Sequence, residues 1–380
     1  MKRIRVTTIL GTRPELIRLS EIIKRFDILF EHRLVHTGQN SDEKLSNVFL
    51  QELSIRDPDL SLNLSNDSLG KFFGGLFTAI EEEFETNNPD AVVILGDTNS
   101  ALSGIIAKRK GIPVYHLEAG NRAFDENVPE EINRKIVDHF SDYNLAYTEN
   151  SKNNLIREGL HPRTSVVIGS PLNEVINCNL EKINSSKILG NLKIKSGMFF
   201  LASFHRQENI DDPERLIELL DAFNAIAIQF DLPIVITVHP RTRNKLDFID
   251  FKLDSRLQFH PPFGFIDYCK LQKESRIVFS DSGSVSEEAA ILGFKAITVR
   301  DSMERPEAVE SGSVIMSGLT KEGILNAIHI IEFNGESKVP PHEYFIPDSS
   351  LRVTSFIAST LYQHSFWSGR RKPRNTDANL

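Results

Sequence analysis

The chain has 380 residues, and this length predicts two domains because single hydrophobic cores rarely grow so large. Its 40% hydrophobic and 25% charged residues are typical of soluble globular proteins. The formal net charge of -8 argues against nucleic-acid or anionic-membrane partners, because both require a basic face. Cys178 and Cys269 lie far apart, which argues against a disulfide framework or zinc cluster and suits a reducing compartment.

The N-terminal apolar run is too short for a signal peptide, and no segment approaches the roughly 20 apolar residues of a membrane span. We therefore expect a cytoplasmic protein without membrane insertion.

Short β-branched runs followed by amphipathic stretches recur along the chain and predict an α/β fold. The predicted strands of the first half are residues 4–10, 31–36, 91–95, 114–118, 143–148 and 166–168, with helices at 15–26, 71–87 and 100–110. Those of the second half are 199–203, 234–237, 257–260, 277–280 and 296–300, with helices at 213–228 and 285–292. Because the strands are apolar without alternation, they suit parallel sheets covered on both faces.

The pattern breaks near residues 169–181, which predicts an N-terminal domain over 1–170 and a C-terminal domain over 171–354. A helix at about 355–367 is expected to pack back on the first domain, and 368–380 to form a disordered tail. The predicted architecture is two doubly wound domains facing a cleft, where ligands bind beyond the carboxyl ends of the strands.

Two strand-to-helix turns have features of phosphate sites. Residues 11–15 (GTRPE) place Arg13 where a helix N-terminus already attracts anions. Residues 281–288 (DSGSVSEE) expose backbone N–H groups that suit a diphosphate, and one glutamate could reach a ribose. The alternatives are an ordinary turn with a surface arginine, and a serine-rich N-cap with Glu287 as its capping-box partner.

Acidic residues follow two strands of the first half. Asp97 comes after the strand at 91–95 and Glu118 ends the strand at 114–118, so both are expected to project into the cleft. Asp97 could instead be a helix N-cap. Glu131, Arg134 and Asp138 share one helical face, either as part of a site or as a surface salt-bridge ladder.

Two histidines follow strands of the second half, and a structural role is the alternative for both. His205 is the best titratable candidate, and His239 is the second. The sequence has no metal-ligand spacing and no Gly-x-Gly-x-x-Gly, so we expect neither a metal nor a nicotinamide cofactor.

Taken together, eight segments resemble the non-hydrolysing UDP-N-acetylglucosamine 2-epimerase superfamily. They are GTRPE (11–15), HTGQN (36–40), GDTNS (96–100), EAGNR (118–122), PEEINR (129–134), HRQEN (205–209), HPRT (239–242) and DSGSVSEE (281–288). The resemblance covers residues 4–320 and implies the GT-B arrangement of two Rossmann-like domains, with the active site in the cleft between them and a homodimeric assembly.

Within this superfamily, residues 118–139 resemble the branch that converts UDP-2-acetamido-2,6-dideoxy-L-talose to UDP-N-acetyl-L-fucosamine. The UDP-N-acetylglucosamine enzymes typically carry Leu in place of Asn121, Lys in place of Arg18, and a His-rich segment in place of residues 40–42. In the bacterial enzymes that segment binds an activating second substrate molecule, so such activation is not expected here. The branch implies a role in capsule, O-antigen or lipopolysaccharide precursor synthesis.

The resemblance also implies a mechanism, in which UDP leaves C1 as the C2 hydrogen is removed and then re-adds. It assigns the diphosphate to Arg13, His205, Ser282 and Gly283, the ribose to Glu288, and acid/base roles to Asp97, Glu118 and Glu131, with Arg134 positioning them. Arg18, Asn121, His239 and Ser284 complete the predicted UDP-sugar site, which needs no cofactor. The alternatives are a UDP-N-acetylglucosamine to UDP-N-acetylmannosamine epimerase, a hydrolysing 2-epimerase, a GT-B glycosyltransferase and a noncatalytic sugar-nucleotide sensor.

Overall fold

The computed structural model describes residues 3–39, 43–65, 67–238, 251–334 and 340–369. Two parallel β-sheets organise these residues. The strands of the seven-stranded sheet are β1 (Arg5–Leu10), β2 (Glu31–His36), β3 (Leu60–Ser61), β4 (Ala91–Leu95), β5 (Val114–Leu117), β6 (Tyr143–Ala146) and β7 (Ser165–Val167). Those of the six-stranded sheet are β8 (Phe200–Ser203), β9 (Ile234–Thr237), β10 (Leu257–His260), β11 (Val278–Ser280), β12 (Ala296–Thr298) and β13 (Val314–Met316).

Helices connect the strands and cover the sheets. In the first half they are α1 (Arg13–Leu29), α2 (Glu43–Glu52), α3 (Leu69–Asn87), α4 (Gly104–Lys110), α5 (Pro129–Phe140) and α6 (Glu149–Arg157). In the linking region they are α7 (Pro171–Cys178), α8 (Leu180–Ser185) and α9 (Ile188–Asn191). In the second half they are α10 (Gln207–Ile210), α11 (Pro213–Phe230), α12 (Phe265–Glu274), α13 (Val285–Leu292), α14 (Pro306–Glu310) and α15 (Lys321–Asn334), followed by α16 (Ser349–Thr360) and α17 (His364–Trp367).

Both sheets have the doubly wound strand order, β3-β2-β1-β4-β5-β6-β7 in the first and β10-β9-β8-β11-β12-β13 in the second. All residues of β4, β5 and β6 are buried, as expected for parallel strands covered on both faces. The direction of winding changes between β1 and β4 and between β8 and β11, which is where such sheets bind ligands. The prediction of two Rossmann-like parallel sheets is therefore confirmed.

The eleven predicted strands agree with the structure to within two residues, but β3 and β13 were not predicted, and the start of the helix at 100–110 was wrong. The predicted helix at 100–110 begins as a 3₁₀ turn (Asn99–Ser103) before α4. Its N-cap is Thr98, whose hydroxyl accepts the Ala101 N–H at 3.4 Å. Asp97 is therefore not the cap, and its side chain remains available for other contacts.

The end of the chain returns to the first sheet. Helix α16 packs against α1 and α7, and Val353 and Ile357 join the core of the first sheet. The Tyr115 hydroxyl lies 2.8 Å from Thr360 Oγ1. The helix expected at 355–367 therefore begins earlier than predicted, at Ser349. The predicted domain boundary at residue 171 stays a prediction, because α7, which begins there, also packs on the core of the first sheet. Within the described ranges, none of the helices combines the length and apolar character that a bilayer crossing requires.

Candidate active site

The loop after β1 forms a tight turn into α1. A Cβ atom on Gly11 would overlap the hydroxyl oxygens of Thr37 and Ser100, so only glycine fits there. The Glu15 carboxylate accepts the backbone N–H groups of Gly11 at 3.0 Å and Thr12 at 2.8 Å, and completes a capping box with Thr12. These contacts fix the turn that presents Arg13 to the cleft.

Glu15 is fully buried, and burial raises its pKa to about 7 despite hydrogen bonds from Gly11, Thr12 and Thr98. Between its ordinary pKa and pH 7 the folded protein therefore holds a proton that the unfolded chain has released. Folding stability should fall as pH rises through this window, and the cost above pH 7 is about 3 kcal/mol.

We expect Glu15→Gln to remove this pH dependence. Thermal unfolding measured from pH 5 to 8 should show the wild type losing stability relative to Glu15→Gln as pH rises. The exposed Glu31→Gln serves as the control and should run parallel to the wild type. A constant difference between the wild type and Glu15→Gln would contradict the raised pKa.

Asp97 follows β4 and faces α5. Its carboxylate lies 2.6 Å from Arg134 Nη2, and Arg134 also contacts Glu131 at 3.3 Å. Both oxygens of Glu131 accept backbone N–H groups, from Ala123 at 2.9 Å and from Phe124 at 3.3 Å. Glu131 therefore holds the loop after β5 in place, whereas Asp97 keeps a partly exposed carboxylate.

Glu118 lies directly after β5 with a φ of 65°, a left-handed backbone conformation that residues other than glycine rarely adopt. Its carboxylate is 3.2 Å from Arg18 Nη1 and accepts the Asn121 side-chain N–H at 3.3 Å. The Asn121 side-chain oxygen in turn accepts the Ser151 hydroxyl at 2.8 Å. Arg18 and Asn121 thus meet at one carboxylate.

Residues of the second half complete this cluster. Arg305 Nη2 lies 2.6 Å from Glu118 Oε1 and 3.1 Å from Glu287, and Arg18 lies 2.6 Å from Glu287. Ser170 donates a hydrogen bond to Glu287. The interpretation of Glu287 as a capping-box partner is wrong, because the N-cap Ser284 makes no side-chain cap and Glu287 pairs across the cleft instead.

Glu304 connects three arginines beside this cluster. It lies 2.9 Å from both Arg206 and Arg300 and 3.3 Å from Arg134. Burial opposes its ionisation, but the three guanidinium groups hold the pKa of Glu304 well below its usual range. The arrangement brings positive charge from both halves to the cleft.

The loop after β11 adjoins these groups. A Cβ atom on Gly283 would lie 2.8 Å from Arg305 Nη1 and 3.1 Å from Glu304 Oε2. The preceding Asp281 is buried and accepts the backbone N–H groups of His205 and Arg206, both at 2.9 Å. Burial opposes ionisation of Asp281, yet the charge and hydrogen bonds of His205 lower its pKa. His205 Nδ1 lies 3.1 Å from Asp281, which orients the imidazole.

A cavity of about 220 Å³ opens beside these loops. Its polar lining includes Arg13, His205, Ser282, Ser284 and Glu288, and its apolar lining includes the aromatic rings of Phe49, Phe263 and Tyr268. Gln272 donates to Glu288 at 2.5 Å, and burial raises the pKa of Glu288. The mixture of apolar wall and polar groups is typical of a pocket for a small organic ligand.

The predicted site residues therefore fall into three adjoining groups. Arg13, His205, Ser282, Ser284 and Glu288 line the cavity, Arg18 and Asn121 contact Glu118, and Asp97 lies with Glu131 and Arg134. Gly283 lies against Arg305, which contacts Glu118 of the second group, and against Glu304, which contacts Arg134 of the third group. His239 lies outside the described residues, as do 40–42 and most of the predicted tail.

Sequence reasoning missed Glu304 and Arg305 and misread Glu287. The first two follow β12, and the rule that polar residues beyond strand ends line the cleft would have found them if applied to that strand. In the described part of the chain, histidine, cysteine and acidic side chains form no group of three that could hold a metal ion.

Comparison with known proteins identifies the family. The model of the UDP-N-acetylglucosamine 2-epimerase family matches residues 24–358. The chain belongs to this family. A curated UDP-N-acetylglucosamine 2-epimerase from Methanocaldococcus jannaschii is 37% identical over 336 residues, with 86% of this chain and 92% of the relative covered. A UDP-2,3-diacetamido-2,3-dideoxy-D-glucuronate 2-epimerase from Pseudomonas aeruginosa is 33% identical, with 85% and 91% covered.

Solved structures of the UDP-N-acetylglucosamine 2-epimerase family have the same fold. The M. jannaschii enzyme in complex with UDP-GlcNAc and UDP matches with a TM-score of 0.88 at 34% identity, covering 94% of this chain and all of the other. The predicted GT-B-type arrangement is confirmed. So is the predicted enzyme class, an isomerase of the UDP-sugar 2-epimerase type.

Proposed function

We propose that the chain interconverts UDP-2-acetamido-2,6-dideoxy-L-talose and UDP-N-acetyl-L-fucosamine by inverting C2. The supporting observation concerns Arg18 and Asn121, two positions at which this chain departs from the UDP-N-acetylglucosamine enzymes. Both side chains contact the Glu118 carboxylate. Substitutions at these two positions therefore change the surroundings of a candidate acid/base group. The family includes members named for different UDP-sugars, so the family alone does not specify the sugar.

The proposed reaction is elimination followed by re-addition. The C1–O bond breaks and its electron pair leaves with UDP, while a carboxylate takes the C2 proton and the C–H pair becomes the C1–C2 double bond. An acid on the opposite face then protonates C2, and a UDP oxygen attacks C1. The sugar returns to UDP with C2 inverted, and the two acid/base groups recover their starting states by proton exchange with solvent.

The described contacts support specific roles. Arg13, His205 and the N–H groups of residues 282–284 would stabilise the departing diphosphate, and Glu288 would bind the ribose. Because both oxygens of Glu131 already accept backbone N–H groups, we assign proton transfer to Asp97 and Glu118. Arg134 would orient Asp97, which it contacts at 2.6 Å.

The second candidate is conversion of UDP-N-acetylglucosamine to UDP-N-acetylmannosamine. The name of the M. jannaschii relative favours it at 37% identity. A homodimeric assembly and a role in capsule, O-antigen or lipopolysaccharide precursor synthesis remain predictions.

The test is to incubate the protein with each UDP-sugar separately in heavy water and to record C2 configuration and labelling by NMR. We expect inversion of the L-talo sugar with deuterium at C2 and little turnover of UDP-N-acetylglucosamine. Preferential turnover of UDP-N-acetylglucosamine would establish the second candidate. Unlabelled product would exclude elimination, and free UDP accumulating with turnover would indicate a hydrolysing enzyme.

A further inference from the structure

Helix α2 of the first half reaches the second half at its last residue. Glu52 Oε2 accepts the Ile266 N–H of α12 at 3.3 Å, and the Phe265 N–H also donates to this carboxylate. The first N–H groups of a helix have no partner within the helix. The N-cap of α12 is Gly264, which has no side chain to satisfy them. A carboxylate from the other half therefore caps α12.

The two helices joined by this contact also contribute lining residues to the cavity. Phe49 lies on α2 one turn before Glu52, and the Arg13 guanidinium carbon lies 5.9 Å from its ring centroid. Gly264 and Phe265 line the cavity from the side of the second half. The Glu52 contact therefore joins two elements that both line the cavity.

Gly264 supplies an independent observation. Its φ of -65° and ψ of 166° are open to any residue, so the backbone does not require glycine. A Cβ atom there would overlap Glu52 Oε1 and lie 2.8 Å from Glu52 Cδ. The Glu52 carboxylate therefore occupies the space that a side chain at position 264 would need.

We propose that Glu52 is a positioning residue that sets the width of the nucleotide pocket by capping α12 across the cleft, and that Gly264 admits its carboxylate. This inference rests on the proposed function, because it takes the cavity as the UDP site. Glu52 does not line that cavity, so its effect is exerted through α12.

The first test compares Glu52→Gln, Glu52→Ala and Gly264→Ala with the wild type in UDP affinity, measured by calorimetry, and in steady-state kinetics. Loss of the cap should weaken UDP binding and raise KM about tenfold in Glu52→Ala and Gly264→Ala, and less in Glu52→Gln, which keeps one acceptor oxygen. In the two Glu52 variants kcat should stay within about threefold of the wild type, because uniform binding is lost rather than transition-state stabilisation. The exposed neighbour Gln51→Ala is the matched control and should behave as the wild type.

The second test is a double-mutant cycle. In the Glu52→Ala background the Gly264→Ala change should add no further loss, because the methyl group enters vacated space. Additive losses of UDP affinity in the double variant would overturn the proposal. So would wild-type UDP affinity in both Glu52→Ala and Gly264→Ala. If Gly264→Ala does not fold, Glu52→Gln and Glu52→Ala still decide the matter. A wild type that binds no UDP would instead refute the proposed function.

Discussion

Glu118→Gln is expected to lower kcat by a factor of about 10² to 10⁴, because an amide cannot take or return a proton at C2. Glutamine keeps the shape of the side chain and the contact with Asn121. It loses the charge that faces Arg18 and Arg305, which lie 3.2 and 2.6 Å from the carboxylate. The measurement is the rate of C2 inversion, with UDP affinity recorded separately.

Loss of an ion pair alone could also reduce activity, so a matched control is needed. Glu83 is a buried residue of helix α3, and it pairs with Arg33 of strand β2 within the first half of the chain. Glu83→Gln should therefore affect stability without lowering kcat. If Glu118→Gln turns over at a rate near that of the wild type, Glu118 is not an acid/base group of this reaction.

Asp97→Asn is expected to lower kcat by about 10² or more. Asp97 follows β4 and lies 2.6 Å from Arg134, which also contacts Glu131 and Glu304. Asp90 is the matched control. It lies just before the amino end of β4, whereas Asp97 follows the carboxyl end, and it pairs with Arg5 at 2.9 Å. Asp90→Asn should lower stability and leave turnover unchanged.

Isotope exchange in the two variants would show whether the carboxylates serve opposite faces of C2. A variant that lacks one group can still remove and return the C2 proton on the remaining face, so solvent deuterium should enter one epimer without inversion. We expect Asp97→Asn and Glu118→Gln to label different epimers. Labelling of the same epimer by both variants would place the two carboxylates on one face.

Local sequence patterns predicted much of the part of the site that the first half of the chain contributes. Asp97 and Glu118 follow buried parallel strands, and the structure places both beyond the carboxyl ends of β4 and β5. The helical spacing of Glu131 and Arg134 also predicted their contact. Asp138 shares that face by sequence, yet its carboxylate contacts His116 and Arg122 instead. These two partners come from β5 and from the loop after it, and helical periodicity carries no information about contacts with other elements.

By itself the sequence determined the two wound sheets and the strand ends that carry polar residues. These follow from local rules, namely apolar runs for buried strands and the small residues that turns and helix starts require. Only the tertiary structure decided which groups meet, such as Arg305 with Glu118, Arg18 with Glu287 and Glu52 with α12. These pairs join segments more than 180 residues apart, and their contacts depend on how one sheet lies against the other.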